Sequence, residues 1–330
     1  MSQREENLVG TPRWAHAYDV LCEVCREEGA AILTGVQVVL AGGDARQLEV
    51  IRQLTEKDAS LTIVGFDRLD TPFSGAAKGD WSPELLTEAD ALVLPAVGTD
   101  DEGVIPTLFT DQELKLTDAH AAVLPKASKV ITGMAKPYLR KLCEKHRIEL
   151  IELFERDDVA IYNSIPTAEG ALMMAIQNTD ITIHGSNCIV LGLGRTGFTM
   201  ARTLQALGAK VKVGVRRDEM FARAFEMGFE PFHMSDLARQ AGNIDLIFNT
   251  IPTMIVTAQV IAQLPQRACI IDLASKPGGT DFRFAEKRGI KALLAPGLPG
   301  IVAPKTAGRI IANSLTQILL GDNRLRGNQP

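Results

Sequence analysis

Gly192, Gly194 and Gly197 stand in the spacing G-x-G-x-x-G, between the apolar run CIVL and the helix-like stretch TGFTMARTLQAL. Glycines in that setting hold a dinucleotide: the first permits a tight turn, the second lets backbone approach a pyrophosphate, and the third lets helix and strand pack closely. Backbone N–H groups of Arg195, Thr196 and Gly197 at the helix start then face the anion. The next apolar run ends in VGVRR. An acidic residue there bonds the ribose 2′-hydroxyl of NAD, whereas arginine suits a 2′-phosphate. Arg216 and Arg217 therefore point to NADP. Asn249, Thr250 and Pro252 follow a further apolar run and are expected at the carboxyl edge of the sheet, with backbone contact to the cofactor.

A second set of candidates lies in the first half. Aligning Leu40 with Leu191 puts Ala41 on Gly192, Gly43 on Gly194 and Arg46 on Gly197. An arginine at the third position obstructs close packing, so no second dinucleotide is expected. Arg46, flanked by Asp44 and Gln47, instead stands at a helix start and is suited to a substrate carboxylate.

The elements that position these residues repeat. Residues 36–67 and 187–217 each read as strand, glycine turn, amphipathic helix, strand, the opening of a doubly wound sheet. Further strand candidates are 91–97, 129–133, 149–153, 245–251, 268–274 and 291–295, nearly continuous apolar runs of the kind covered on both faces. Residues 164–179 read as a helix with Pro166 near its first turn, and residues 304–320 as another that returns across the cleft. The expected architecture is α/β: two Rossmann-like doubly wound parallel-sheet domains facing a cleft and linked by long helices. Residues 1–33 form an appendage, 34–165 plus 304–330 a substrate domain, and 166–303 the NADP-binding domain with its linking helix.

Composition sets outer bounds. A formal net charge of −5 with dispersed Lys and Arg speaks against a nucleic-acid partner. No apolar run approaches the ~20 residues that span a bilayer, and the polar start MSQREENLVG does not resemble a secretory signal, so a cytoplasmic protein is expected. Five scattered cysteines fit reduced thiols. Cys22 and Cys25 form a lone C-x-x-C with nothing to complete a zinc site, and no metal is expected. His184, just before the cofactor strand, reads as a packing or hinge residue.

Beside these motifs, the stretches AGGDARQLEVIRQL, LFERDDVAIYNSIPTAEG, TDITIHGS, DLASKPGGTDF and ALLAPGLPGIVAPKTAG make the chain resemble the A-subunit family of the dipicolinate synthases of spore-forming bacteria, from about Leu33 to about Leu320. The resemblance implies NADP-dependent oxidation of a dihydrodipicolinate to pyridine-2,6-dicarboxylate, partnership with a flavoprotein-like B subunit, and action in the mother-cell cytoplasm during sporulation. A small dicarboxylate substrate calls for a cationic clamp, for which Arg46, Lys276 and Lys305 are the candidates, with Asp44, Gln47 and Ser164 also at the substrate site. Lys305, Asp272 and Glu169 are the candidate catalytic residues. A homo-oligomer is expected. Two alternatives accompany this reading. One is an enzyme like alanine or D-2-hydroxyacid dehydrogenases, disfavoured because Lys305 stands where the hydroxyacid enzymes carry histidine. The other is an NADP-binding scaffold that activates a catalytic partner.

Overall fold

The structure, a computed structural model, describes residues 33–69 and 73–326, with side chains to 321. Residues 1–32, which hold Cys22 and Cys25, lie outside the described part.

Two six-stranded parallel sheets carry the fold. The first is built from β1 (Gln37–Ala41), β2 (Ser60–Val64), β3 (Ala76–Lys78), β4 (Ala91–Val93), β5 (Lys129–Thr132) and β6 (Glu149–Glu152). The second holds β7 (Asn187–Leu191), β8 (Lys210–Val215), β9 (Glu230–His233), β10 (Leu246–Asn249), β11 (Cys269–Asp272) and β12 (Lys291–Leu294). Their orders are β3-β2-β1-β4-β5-β6 and β9-β8-β7-β10-β11-β12, the same doubly wound arrangement twice. Helices cover both faces of each sheet, which explains the unbroken apolar runs. In β1, Val38 and Leu40 enter one core cluster while Val39 and Ala41 enter the other. In β7, Cys188 and Val190 face one side, Ile189 and Leu191 the opposite one. Cys143, Cys188 and Cys269 are buried free thiols.

Six helices matter for the site: α1 (Ala45–Glu56), α2 (Asp157–Asn178), α3 (Arg195–Ala206), α4 (Asp218–Glu226), α5 (Leu298–Val302) and α6 (Pro304–Arg326). Helix α2 starts well before residue 164, so Pro166 sits in its interior rather than its first turn. Asp157 and Asp158 occupy the first turn, where acidic side chains complement the helix dipole. Around the proline, whose missing N–H leaves Tyr162 O without its helical donor, Ser164 Oγ donates to Ile161 O (2.6 Å) and Thr167 Oγ1 to Asn163 O (2.7 Å), the carbonyls on either side. This helix spans both cores. Val159 packs with the first sheet, and Ala168, Ala171, Leu172 and Ala175 pack with the second.

Helix α6 lies against α1. Its Ile310, Ile311, Ala312, Leu315 and Leu319 join the cluster that contains Val38, Val50, Ile51 and Leu54. A methyl group at Gly308 would meet Arg46 O at 2.5 Å, so only glycine permits this approach. Arg309 Nε donates to Glu49 Oε1 at 2.9 Å across the same contact. Among the described residues, no helix is long and apolar enough to cross a membrane.

Candidate functional site

The turn between β7 and α3 shows what each glycine does. Gly192 has φ +91°, a left-handed backbone that glycine adopts without strain. A methyl group on Gly197 would lie 2.1 Å from Gly192 O, so α3 packs onto the turn with no room for a side chain. Gly194, the N-cap of α3, has nothing within 4 Å of its missing side chain and makes no side-chain cap bond. The space beside Gly194 at the start of α3 is thus empty, and the N–H groups of a helix start are where an anion binds.

Beside this turn lies a cavity of about 270 Å³, lined by Gly192, Leu193, Gly194, Arg216, Arg217 and Met234 among others. Arg216 Nη2 reaches Thr253 Oγ1 at 3.3 Å, and Arg217 pairs with Glu219 at 3.0 Å. Both arginines are exposed and able to turn toward a phosphate. Sequence reasoning passed over Met220 and Met234 on the wall. Met234 follows β9, a strand of sequence EPFH, whose proline and charge conceal it. Arg195 lies outside the cavity wall and pairs with Asp157 of α2 at 3.0 Å, while Thr196 is partly buried in the first turn of α3.

The loop after β10 forms the opposite bank. Thr250 Oγ1 donates to Leu191 O (2.8 Å) beneath Gly192. The Asn249 side chain is fully buried, donating through Nδ2 to Ile251 O and Asp272 Oδ1 (both 3.0 Å) and accepting from Ile251 N (3.0 Å). Asn249 therefore shapes the loop, leaving the exposed Pro252 and its neighbours toward solvent. His184 packs under Gly208, with Nδ1 3.2 Å from Leu207 O.

The first domain repeats this geometry with one change of register. Gln37 N donates to Asp90 Oδ2 as Asn187 N donates to Asp245 Oδ2, and Gly42 N donates to Val64 O as Gly192 N donates to Gly214 O, all at 2.9 Å. Ala41, not Leu40, is the counterpart of Leu191. Gln47, not Arg46, consequently stands where Gly197 does. Its side chain folds back over Gly43, where an added methyl group would meet Gln47 Cγ at 2.2 Å. Segment 105–108 also covers the turn: Gly43 N donates to Pro106 O (2.8 Å) and Leu108 N to Gly43 O (3.0 Å). No open turn like that of Gly194 remains here.

Arg46 is nine-tenths buried and bound to Asp44, with Nη2–Oδ2 at 2.6 Å. Asp44 also caps α1 by accepting from Arg46 N at 3.0 Å. Burial pushes the Asp44 carboxyl up, but the bond and charge of Arg46 outweigh this and hold it below the ordinary range. The Arg46 guanidinium lies on Gly300 of α5, 2.9 Å from where a methyl group would stand. Arg46 and the segment leading to Lys305 are thereby brought together, and Lys305 itself is exposed.

Three candidates sit otherwise than the sequence implied. Ser164 is buried between α2 and α3, its Oγ 2.6 Å from Thr199 Oγ1 and bonded to Ile161 O. Its hydroxyl joins helices rather than facing a ligand. Asp272 is fully buried, and its two oxygens accept from Asn249 Nδ2, Ala274 N, Gly279 N and Thr280 Oγ1 at 2.6–3.1 Å. A carboxylate so enclosed is an anchor, not a proton acceptor reached by substrate. Gln47, likewise buried, has Nε2 near Leu94 O at 3.5 Å. Glu169 and Lys276 are exposed, on α2 and on the loop after β11 respectively.

Comparison with known proteins places these features among relatives. The family described as the N-terminal domain of the dipicolinate synthase A subunit matches residues 37–154, and that described as Acetohydroxy acid isomeroreductase, NADPH-binding domain, matches residues 182–317. The curated A subunit of dipicolinate synthase from Bacillus subtilis (strain 168) is 52% identical over 288 residues, covering 87% of this chain and 97% of its own. The solved structure of the corresponding dipicolinate synthase chain from Bacillus halodurans matches with TM-score 0.84 and 53% identity over 87% of this chain and 99% of that one. The A chain of dipicolinate synthase from Bacillus subtilis matches with TM-score 0.85 and 50% identity over 91% and 99%.

Proposed function

Because the chain belongs to the A-subunit family of dipicolinate synthase, we propose that it oxidises a dihydrodipicolinate to pyridine-2,6-dicarboxylate, with NADP+ taking the hydride and a proton leaving to base. The observation that carries this reading is the open, uncapped turn at Gly194 beside a cavity walled by Arg216 and Arg217. The 52% identity to a dipicolinate synthase A subunit supports this reading over an alanine or D-2-hydroxyacid dehydrogenase.

NADP+ supplies the hydride acceptor. The backbone of Gly192, Gly194, Arg195, Thr196 and Gly197 would hold its pyrophosphate, Arg216 and Arg217 would meet its 2′-phosphate, and the 249–252 loop would flank the rest. Arg46, Lys276 and Lys305 hold the two substrate carboxylates, Arg46 by exchanging its bond with Asp44. Aromatisation drives the step, so the protein's work is chiefly to orient the reactants. Glu169, exposed on α2, is the carboxylate we assign to take the proton, since Asp272 is enclosed. The relatives are named as one subunit of a larger synthase, and we take a flavoprotein-like B subunit to be the partner, in the mother-cell cytoplasm during sporulation.

The test follows NADPH absorbance with freshly generated dihydrodipicolinate, alanine and several 2-hydroxy acids, with and without the B subunit. Turnover of the dihydro compound by this chain alone supports the reading. Turnover only with the partner moves catalysis toward the scaffold alternative, and no turnover in either case rejects it.

A further inference from the structure

Two loops separate in sequence are one body in the fold. The first follows β10 and runs from 249 to 256; the second follows β11 and runs from 272 to 281. Ile255 N and Val256 N donate to Gly279 O (2.8 and 2.9 Å), and Asp281 N returns a bond to Val256 O (3.0 Å). The contact is so close that a methyl group on Gly279 would stand 2.5 Å from both Ile251 O and Thr253 O.

Asp272 lies at the centre. Through Oδ1 it accepts from Asn249 of the first loop and from Ala274 N. Through Oδ2 it accepts from Gly279 N (2.8 Å) and Thr280 Oγ1 (2.6 Å) of the second. No lysine or arginine pairs with it among the described residues. A fully buried carboxylate without a cation is costly unless donors surround it, and here four do. The outer end of the first loop meets the cavity through Thr253, which accepts from Arg216. The second loop carries Lys276. A path of chain and hydrogen bonds thus runs from Arg216, on the cavity wall, to the loop that carries Lys276.

We propose that Asp272, together with Thr280, is a positioning residue that joins the 249–256 and 272–281 loops, so that cofactor occupancy presets Lys276 for a carboxylate of the substrate. The inference rests on the dicarboxylate reading given above. Its consequence is reciprocal: each ligand tightens the binding of the other. Asp272 touches neither reactant and acts only through the loops it ties.

Calorimetry with pyridine-2,6-dicarboxylate, in the presence and absence of saturating NADP+, tests this on the full chain. The wild-type protein should bind the dicarboxylate about tenfold more tightly with NADP+ present. Thr280→Val, nearly isosteric, removes one donor from Asp272 and should abolish that difference, while NADPH alone binds within about twofold of wild type. Thr280→Ser, which keeps the hydroxyl, should restore it. Asp272→Asn is the more severe variant and should show the same loss where it folds. Retained synergy in Thr280→Val overturns the proposal, as does an equal loss of affinity for both ligands together with a lowered melting temperature, the mark of a merely structural residue. A wild-type chain that binds both ligands independently also overturns it, leaving the proposed activity standing. A chain that binds NADPH but no dicarboxylate removes the clamp on which the proposal rests and overturns it, while the turnover assay alone decides the activity.

Discussion

Replacing Gly194 and Gly197 separately by alanine should divide binding from folding. At Gly194 the added methyl group enters space with no atom within 4 Å, on a backbone at φ −84° and ψ −164° that alanine adopts freely. Stability should change by no more than about 0.5 kcal/mol. With a dinucleotide bound as proposed, the same methyl group would stand in the path of the pyrophosphate. Losing one charge-assisted hydrogen bond there costs about 1.5–3 kcal/mol, so the dissociation constant for NADPH should rise by roughly ten- to a hundredfold. At Gly197 the methyl group would sit 2.1 Å from Gly192 O, against an ordinary contact of about 3.5 Å. Helix α3 must therefore retreat by an ångström or more. Overpacking of that kind costs about 1–3 kcal/mol, and a domain of this size loses roughly 2–4 °C of melting temperature per kcal/mol. Fluorescence titration with NADPH and a thermal melt on each variant supply both readings. Gly194→Ala binding NADPH as wild type does, with Gly197→Ala melting unchanged, would refute the assignment of the turn.

Other outcomes follow from the same geometry. Arg216→Ala with Arg217→Ala should weaken NADPH about tenfold or more while leaving NADH little changed; equal loss for both cofactors would remove the 2′-phosphate role. Titration to saturation should give about one NADP(H) per chain, because Gln47 and segment 105–108 close the Gly42–Gly43 turn; a second equivalent would contradict that. Lys305→Met should raise KM for the dicarboxylate substrate about tenfold, and unchanged KM and kcat would take Lys305 out of the clamp. For Glu49, burial works to raise the pKa, but hydrogen bonds from Arg52 and Arg309 and the charge of Arg52 outweigh it and hold the carboxyl at about 2, below its ordinary value of 4.5. Its contribution to stability is complete above pH ~4.5 and is lost as pH falls toward about 2. Glu49→Gln should thus melt a few degrees below wild type at neutral pH, with the gap closing across that acid window; a gap that persists at pH ~2 would contradict the assignment.

How much of this was legible beforehand depends on the range of the interactions involved. The turn at Gly192–Gly197 could be read because its requirements are local: strand, glycine spacing and helix start lie within a dozen residues. The doubly wound architecture followed from apolar runs that both faces of a sheet demand. Register in the first half was one residue out, since VVLA slides against CIVL with no local penalty. The strand-start bonds to Asp90 and Asp245 and the strand-end bonds of Gly42 and Gly192 fix Gln47 opposite Gly197. Pro166 misled because a proline inside a helix is tolerated only when neighbouring groups and packing compensate, and the α2–α3 contact at Ser164 and Thr199 is tertiary. Asp272 looked like a base for the same reason: its four donors come from 249, 274, 279 and 280, and no spacing rule announces them.

Helix α6 has a consequence for the order in which the molecule is made. Its apolar side fills the layer over β1 and α1, yet in sequence it follows the whole of the second sheet. During synthesis the second sheet has all its strands once Leu294 is out, while the first must wait, one flank bare, until residues beyond Leu319 emerge from the ribosome. The core of the later domain should therefore close before that of the earlier one, reversing the usual N-terminal-first sequence. A fragment cut after residue 154, missing that helix, should aggregate by light scattering where the full chain does not.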